Sequence, residues 1–330
     1  MPGPSVSVII PCFNAAPFLG EAIRSALDQS LPPVEVIVVD DGSTDDSAEI
    51  AQSFGPPVRV LRQENHGESV ARNRGIDEAA GDWVALLDAD DVWLPSKLRQ
   101  QWELVEADPS GDEVVCIGTR CFAFAEDGRQ SEFPQPDTFD LPEPSLELLV
   151  ECAISPSAAM FRRRDGLACG FPEETRSSED MIFFAHLRTR GRFLRVDDPL
   201  TGYRRSDAQQ TKTPGHLARS IRCRYEWAER HPDVIPPARL PHLRSRLLDE
   251  VATFIRRSEA LDDLVSASEL RTIALELDPE HDSGSRPTGW RKWAIRADAH
   301  DAVRRGSRRN GPASLFYRIM RRLAEIGQPR

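Results

Sequence analysis

The sequence predicts an α/β protein, a mostly parallel sheet flanked by helices with a helical C-terminal extension. Three observations lead there. Over residues 1–108, short β-branched runs alternate with segments whose apolar residues recur at helical spacing. The runs are mostly apolar, and their alternation with helices specifies a parallel sheet covered on both faces. From about Pro214 onward strand signals vanish while helical ones continue.

The elements follow in order. Ser5–Ile10 (SVSVII), ending at Pro11, reads as a buried strand. Ala16–Gln29 carries Phe18, Leu19, Ala22, Ile23, Ala26 and Leu27 on one helical face. Val34–Val39 is a second strand, and Asp40-Asp41-Gly42-Ser43 its turn; Thr44 or Asp45 can cap a helix running to Phe54. Val58–Leu61 is a third strand, Ser69–Ala80 a helix closed by Gly81, and Trp83–Leu87 a fourth strand. Pro95–Glu106 is helical, with proline at a favoured first-turn position. Beyond Asp108 the rhythm breaks. Val114–Phe124 and Ser157–Phe161 read as strands, Met181–Thr189 as a helix, and Phe193–Val196 and Leu200–Tyr203 as short strands. The polar stretch Glu126–Pro144 reads as a loop over a site. Helices are predicted at 215–230, 239–261, 266–277, 288–304 and 313–326. Residues 1–214 therefore form one domain, with a first half at 1–108 and a second at 109–214, and 215–330 form a helical region.

Composition narrows the function. With 40% apolar and 29% charged residues, the 330-residue chain can build a core. Its longest apolar runs, such as Trp83–Leu87, are far too short to cross a bilayer, and the N-terminus carries no secretory-signal pattern. The six cysteines (Cys12, Cys116, Cys121, Cys152, Cys169, Cys223) show no metal spacing and read as free thiols in a reducing, cytoplasmic setting. Net charge is −11, with residues 281–330 at +8 and the rest at −19. An acidic body does not suit nucleic-acid binding, which phosphate neutralisation drives. GxxxxGK[ST], GxGxxG, GxSxG and HExxH are all absent, which argues against P-loop, Rossmann hydride-transfer, triad and zinc-protease chemistry.

Carboxylates at strand ends are what remains. Ligands of open α/β sheets bind beyond the carboxyl ends of the strands. Pro11-Cys12-Phe13-Asn14, Asp40-Asp41 and Asp88-Ala89-Asp90-Asp91 all fall there. An acidic run in isolation is a solvated loop. Directly after WVALL, its like charges call for a cation, and hard oxygen ligands suit Mg²⁺ or Mn²⁺ with diphosphate oxygens completing the shell. Asp88 and Asp90 are thus candidate metal ligands. Asp41 is a turn residue or a carboxylate that accepts from a base or ribose, the two readings being even on spacing alone.

SVIIPCFNAAPFLGEAIRSALDQ, VIVVDDGSTDDS and NHGESVARNRGIDEAAGDWVALLDADDVWLP together resemble a family 2 glycosyltransferase of the GT-A fold, an inverting nucleotide-sugar transferase, as does Glu179-Asp180 in SSEDMIFFAHLRTRGRF. The resemblance implies that Pro11, Phe13 and Asn14 line a nucleotide pocket and that Asp41 reads the base, usually uracil. It implies that Arg72 lies near the nucleotide, with a surface helix position as the alternative. Asp90 becomes the chief metal ligand, and Asp88 turns toward ribose and metal. Asp180 becomes the catalytic base, with Glu179 its neighbour; the alternative is N-capping after Ser177-Ser178. Trp93 fits an aromatic position of the family or packs over the sheet edge. Departures exist. No histidine follows Tyr203-Arg204-Arg205-Ser206-Asp207, so any histidine role there falls to Arg204 or Arg205 or is missing. The Q/R-x-x-R-W motif of processive members is absent, which favours single-sugar transfer.

The function expected is metal-dependent, inverting transfer of one sugar from a nucleotide-sugar donor, UDP-linked by preference, to a glycan, lipid-linked or small-molecule acceptor in cell-surface polysaccharide or other glycan biosynthesis. A non-catalytic nucleotide-binding or scaffold member is the alternative, a nucleotidyltransferase the more distant one. In the tail, Leu315, Phe316, Ile319, Met320 and Leu323 recur at helical spacing, with Arg318, Arg321 and Arg322 mostly opposite. Such a basic amphipathic helix docks on the acidic body, on the inner face of an anionic membrane or on a second subunit.

Overall fold

The computed structural model describes residues 3–109, 113–125, 130–133, 135–136, 141, 143–151, 153–175, 177–205, 216–260 and 264–277. These fall into two compact units, one drawn from Met1–Asp207 and Arg230–Pro236, the other from Ala208–Glu229 and Pro237 onward. Most of the Glu126–Pro144 loop, Cys152 and the tail helices expected at 288–304 and 313–326 lie outside the described residues.

The first unit alternates as its sequence does. Its opening elements are β1 (Val6–Cys12), α1 (Ala16–Leu27), β2 (Glu35–Asp40), α2 (Ser47–Ser53), β3 (Val58–Arg62), α3 (Glu68–Glu78), β4 (Trp83–Leu86), β5 (Val92–Trp93) and α4 (Lys97–Ala107). There follow β6 (Val114–Phe124), β7 (Gln130–Glu132), α5 (Pro144–Val150), β8 (Met160–Arg162), α6 (Arg163–Cys169), α7 (Glu179–Leu187) and β9 (Arg192–Arg204). The strands form one sheet in the order β3-β2-β1-β4-β8-β6-β9-β5, with β7 beside β6. β3, β2, β1 and β4 run parallel. β8 is antiparallel to both β4 and β6, so the sheet is mixed. β1 and β2 are buried along their whole length. Leu19, Ala22, Ile23 and Ala26 of α1 pack on this core with Val8, Ile10, Val36 and Val38.

Local chemistry explains the departures from the expected elements. β1 continues through Pro11 to Cys12. Leu87 donates to the Ile9 carbonyl, so the amides of odd-numbered β1 residues face β4. The β4 ladder ends at the Ile9–Leu86 pair, and Pro11, which has no N–H, therefore forfeits no ladder bond. α3 ends at Glu78, before Gly81. Gly81 is needed for space rather than for capping, since a Cβ there would stand 2.7 Å from the Ser7 amide nitrogen. Asp46 is the N-cap of α2, while Asp45 accepts from the amides of Ser47 and of Ala16, tying α2 to α1. β9 is one strand rather than two, its pairing with β6 shifting around Arg120, opposite Pro199. The short β5, α5 and α6 have no clear sequence period, and packing decides them.

One core charge is unusual. Lys97 is fully buried, donating to Gln101 Oε1 (3.0 Å) with its ammonium 4.0 Å from the Trp93 ring centre. Burial lowers its pKa to about 7, against the opposing pull of Cys121 and Cys116. Below that pH the fold carries a buried cation. Between about 7 and the unfolded value near 10.5 the unfolded chain holds the extra proton, so wild-type stability gains with rising pH. Lys97→Met is therefore expected to stabilise the protein by about 1–3 kcal/mol at pH 6. The gain should shrink as pH climbs toward 10, in paired denaturant titrations.

The second unit is helical: α8 (His216–Arg230), α9 (Leu240–Ala260) and α10 (Leu264–Leu277). Leu243, Leu247, Val251, Ile255, Leu270 and Ile273 are buried, as is an Arg224–Glu250 ion pair at 3.0 Å. No helix among the described residues is long and apolar enough to cross a membrane.

Candidate active site

The carboxyl ends of β1, β2 and β4 meet the N-terminus of α7, and the charged residues gather there. Asn14, beyond β1, adopts a left-handed backbone (φ 50°). Its amide donates to Ser43 Oγ and its Oδ1 accepts from the Thr44 amide, so the loops after β1 and β2 are clamped together. Phe13, beside it, is half exposed at 51%. Pro11 is buried in β1. Asp40 and Asp41 are both buried, and Asp40 accepts from the Ser43 amide and from Arg62. Asp41 accepts from Gln63 Nε2 (2.7 Å) and the His66 amide (2.9 Å) at one oxygen and from the Gly67 amide (2.8 Å) at the other. Gly67 has φ 97°, a conformation that glycine alone adopts readily, and it opens α3. Asp41 thus secures the start of α3 and keeps one acceptor position on Oδ2.

Arg72 lies on the buried face of α3 at 2% exposure. It is no surface residue. Its guanidinium contacts Glu68 (3.2 Å), Asp88 (3.0 Å) and Glu179 (3.1 Å) and sits over the Phe171 ring. Burial disfavours its charge, but the three carboxylates outweigh that and hold it firmly cationic. One buried cation therefore joins the segment after β4 to the start of α7. Sequence reasoning missed Glu68, although its position four residues before Arg72 is a helical ion-pair spacing.

The Asp88–Asp91 segment is held from behind. Ser157 Oγ donates to Asp91 (2.6 Å) and accepts from the Asp88 amide (3.0 Å), and its carbonyl accepts from Trp93 Nε1 (2.7 Å). Trp93 is accordingly buried packing. Asp91 is buried as well, its pKa raised by burial and by Asp88 and Asp90. Ser157 was not singled out in the sequence, because nothing local marks it. Asp90 stays half-buried. Among the described residues its carboxylate hydrogen-bonds only its own amide, and burial and Asp88 raise its pKa while Arg204 opposes them.

Glu179 and Asp180 open α7 after Ser178, which is left-handed at φ 60° and makes no side-chain cap bond. Asn14 and Ser178 are the non-glycine residues with positive φ among those described, and both flank this site. Asp180 Oδ1 accepts from the Met181 amide (2.8 Å). Burial and then Glu179 raise the Asp180 pKa to about 6, against the pull of that amide and of Arg72. Among the described residues nothing is bonded to Asp180 Oδ2, and its proton affinity is shifted toward neutrality.

The donor set suits a small divalent cation. Among the described residues no three His, Cys, Asp or Glu side chains form a ready-made cage. Asp88 and Asp90, carried by one short segment, offer hard oxygens of the kind Mg²⁺ or Mn²⁺ takes together with phosphate oxygens.

Comparison with known proteins bears on the family and the fold. Residues 7–166 match the family model for glycosyl transferase family 2. The chain is 41% identical over 120 residues to the uncharacterized glycosyltransferase YibD of Escherichia coli (strain K12), a match covering 36% of this chain and 35% of that protein. It is 42% identical over 106 residues to TuaG of Bacillus subtilis (strain 168), provisionally named a teichuronic acid biosynthesis glycosyltransferase, covering 31% of this chain and 42% of that one. The chain therefore matches well under half the length of these relatives. Among solved structures, S. aureus TarS 1–349 in complex with UDP-GlcNAc superposes with a TM-score of 0.54 at 19% identity, over 82% of this chain and 90% of that one. The mannosyltransferase PcManGT from Pyrobaculum calidifontis, in complex with GDP-Man and Mn²⁺, gives a TM-score of 0.50 at 19% identity, over 98% and 85%. That likeness is one of fold, a sheet flanked by helices of the GT-A type. Residues 7–166, just under half of the chain, thus match glycosyl transferase family 2.

Proposed function

We propose that the protein is a metal-dependent, inverting glycosyltransferase that moves one sugar from a nucleotide-sugar donor, most simply a UDP-sugar, to an acceptor hydroxyl. One observation carries this: Arg72 gathers Asp88 and Glu179 at the carboxyl edge of the parallel strands, next to Asp180 with its raised proton affinity. A single displacement needs one base, and Asp180 supplies it. Its Oδ1 is engaged by the Met181 amide, so Oδ2 takes the proton from the attacking hydroxyl. Glu179, tied to Arg72, holds the start of α7 in register with Asp88. Pro11, Phe13, Asn14 and Asp41 form the nucleotide end, Phe13 offering an exposed ring and Asp41 its remaining acceptor position. Asp88 and Asp90 would hold Mg²⁺ or Mn²⁺, which neutralises the charge that grows on the departing diphosphate. Arg72 acts on the nucleotide through Asp88.

The acceptor class is a glycan, a lipid-linked molecule or a small molecule of cell-surface polysaccharide biosynthesis, in keeping with the pathway named for TuaG. The setting proposed is cytoplasmic, with peripheral membrane contact through the basic tail. The domain division proposed is 1–214 for the transferase and 215–330 for the helical region.

The test is Asp90→Asn. Turnover in Mn²⁺ with a UDP-sugar is expected to vanish while the melting temperature stays unchanged, because among the described residues no other side chain is hydrogen-bonded to the Asp90 carboxylate. Unchanged turnover would refute the metal role. Metal-dependent UDP binding by the wild type with no transfer to any acceptor would favour a non-catalytic binding protein.

A further inference from the structure

We infer that Arg204, at the end of β9, is a positioning residue that sets the Asp88–Asp91 segment for cation binding. Four observations converge on it. Its Nε donates to the Asp90 carbonyl (2.7 Å). Its backbone amide donates to Asp91 Oδ1 (3.0 Å). Its guanidinium lies over the rings of both Phe18 and Phe124, 4.8 and 4.4 Å from their centres. Its Nη2 pairs with Glu21 of α1. The residue as a whole is 6% exposed.

This geometry is not that of a ligand-facing cation. The side chain is enclosed by two aromatic faces, and its directed bonds run to protein groups. Its reach is inward: α1, β6 and β9 each fix one side of the guanidinium, and the guanidinium fixes the Asp90 peptide. Ser157 holds the same segment from the other side through Asp88 and Asp91. Among the described residues the Asp90 carboxylate has no side-chain hydrogen-bond partner, so its main chain aims it. Planarity matters here. Only a guanidinium can pack on aromatic rings while donating in its plane to both a carbonyl and a carboxylate. A lysine would keep the charge and lose the fork. The sequence offered Arg204 as a substitute for a missing histidine; its contacts assign it to the support of the site instead.

The effect on cation binding rests on the proposed function, so the test carries a readout that does not. Hydrogen exchange of the unliganded protein is followed over residues 86–94, in wild type, Arg204→Gln and Arg204→Lys. In the wild type the Asp88 and Asp91 amides are bonded to Ser157 Oγ and to the Asp88 carbonyl, both at 3.0 Å. Faster exchange confined to this segment is expected in Arg204→Gln, with Arg204→Lys intermediate and the β1 and β2 amides unchanged. Mn²⁺ affinity, read by calorimetry in the presence of UDP, should fall about 10–100-fold, as for other groups that orient metal ligands. Exchange at wild-type rates in residues 86–94 would overturn the proposal. So would a lower melting temperature with undiminished Mn²⁺ affinity. If the wild type itself binds no Mn²⁺ with UDP, the metal role fails, and the exchange result decides on Arg204 alone. Should Arg204→Gln not fold, Glu21→Ala, which removes one partner at the surface, must loosen the segment in the same direction, and an unaltered segment there refutes the proposal.

Discussion

Asp180→Asn is expected to lose about 10²–10⁴-fold in turnover while donor affinity stays close to wild type. The amide cannot take a proton, yet its oxygen can still accept from the Met181 amide, so the start of α7 keeps its geometry. The wild-type pH profile offers an independent check. Burial and Glu179 raise the Asp180 pKa to about 6, so turnover should climb through that pH and level off above it. Asp180→Asn should lose that limb. Stability has the opposite sign. The folded protein holds the Asp180 proton more tightly than the unfolded chain, whose pKa is near 3.9. Ionising Asp180 therefore costs stability as pH rises from about 4 to about 6. A variant that loses donor affinity in step with turnover would move Asp180 to a binding role. One that loses stability alone would make it a helix cap.

Arg72→Met is expected to be the most destabilising single change, at about 3–5 kcal/mol near neutral pH, the range for breaking a buried ion pair by removing one partner. Methionine fills the stem's volume over Phe171 but leaves Asp88 and Glu179, with Glu68 and Asp180 close by, facing one another without a cation. The deficit should shrink between pH 7.5 and pH 5 as the carboxylates take up protons, which chemical denaturation at the two pH values would show. Adding Glu68→Gln should recover part of it by removing one like charge. A simple nucleotide contact predicts otherwise: a higher KM for the donor with stability intact. Equal stability of Arg72→Met and wild type would therefore refute the hub.

The sequence by itself determined the alternation of strand and helix over the first hundred residues and the position of the carboxylates at strand ends. Both are local properties. An unbroken apolar run such as Val36–Val39 commits a segment to a sheet covered on both faces, and Asp-Gly or Pro at its end commits the chain to turn there. Trp83–Leu87 followed by Asp88-Ala89-Asp90-Asp91 likewise marks an acidic segment that cannot drift from the end of a buried strand.

Tertiary structure alone decided the rest, because burial and pairing join residues far apart in the chain. Arg72 and Glu179 stand 107 positions apart, and no local pattern links them. Ser157 and Asp91 are separated by 66 positions and Arg204 and Asp90 by 114. Whether Arg72 is a surface residue or a buried hub depends on α3 laying that face against the sheet. Whether Trp93 meets a ligand or packs depends on the Ser157 carbonyl reaching its indole. The place of β8 has the same cause: the sequence marks a strand at Ser157–Phe161, but its bounds at Met160–Arg162 and its antiparallel direction come from the ladders of β4 and β6 on either side.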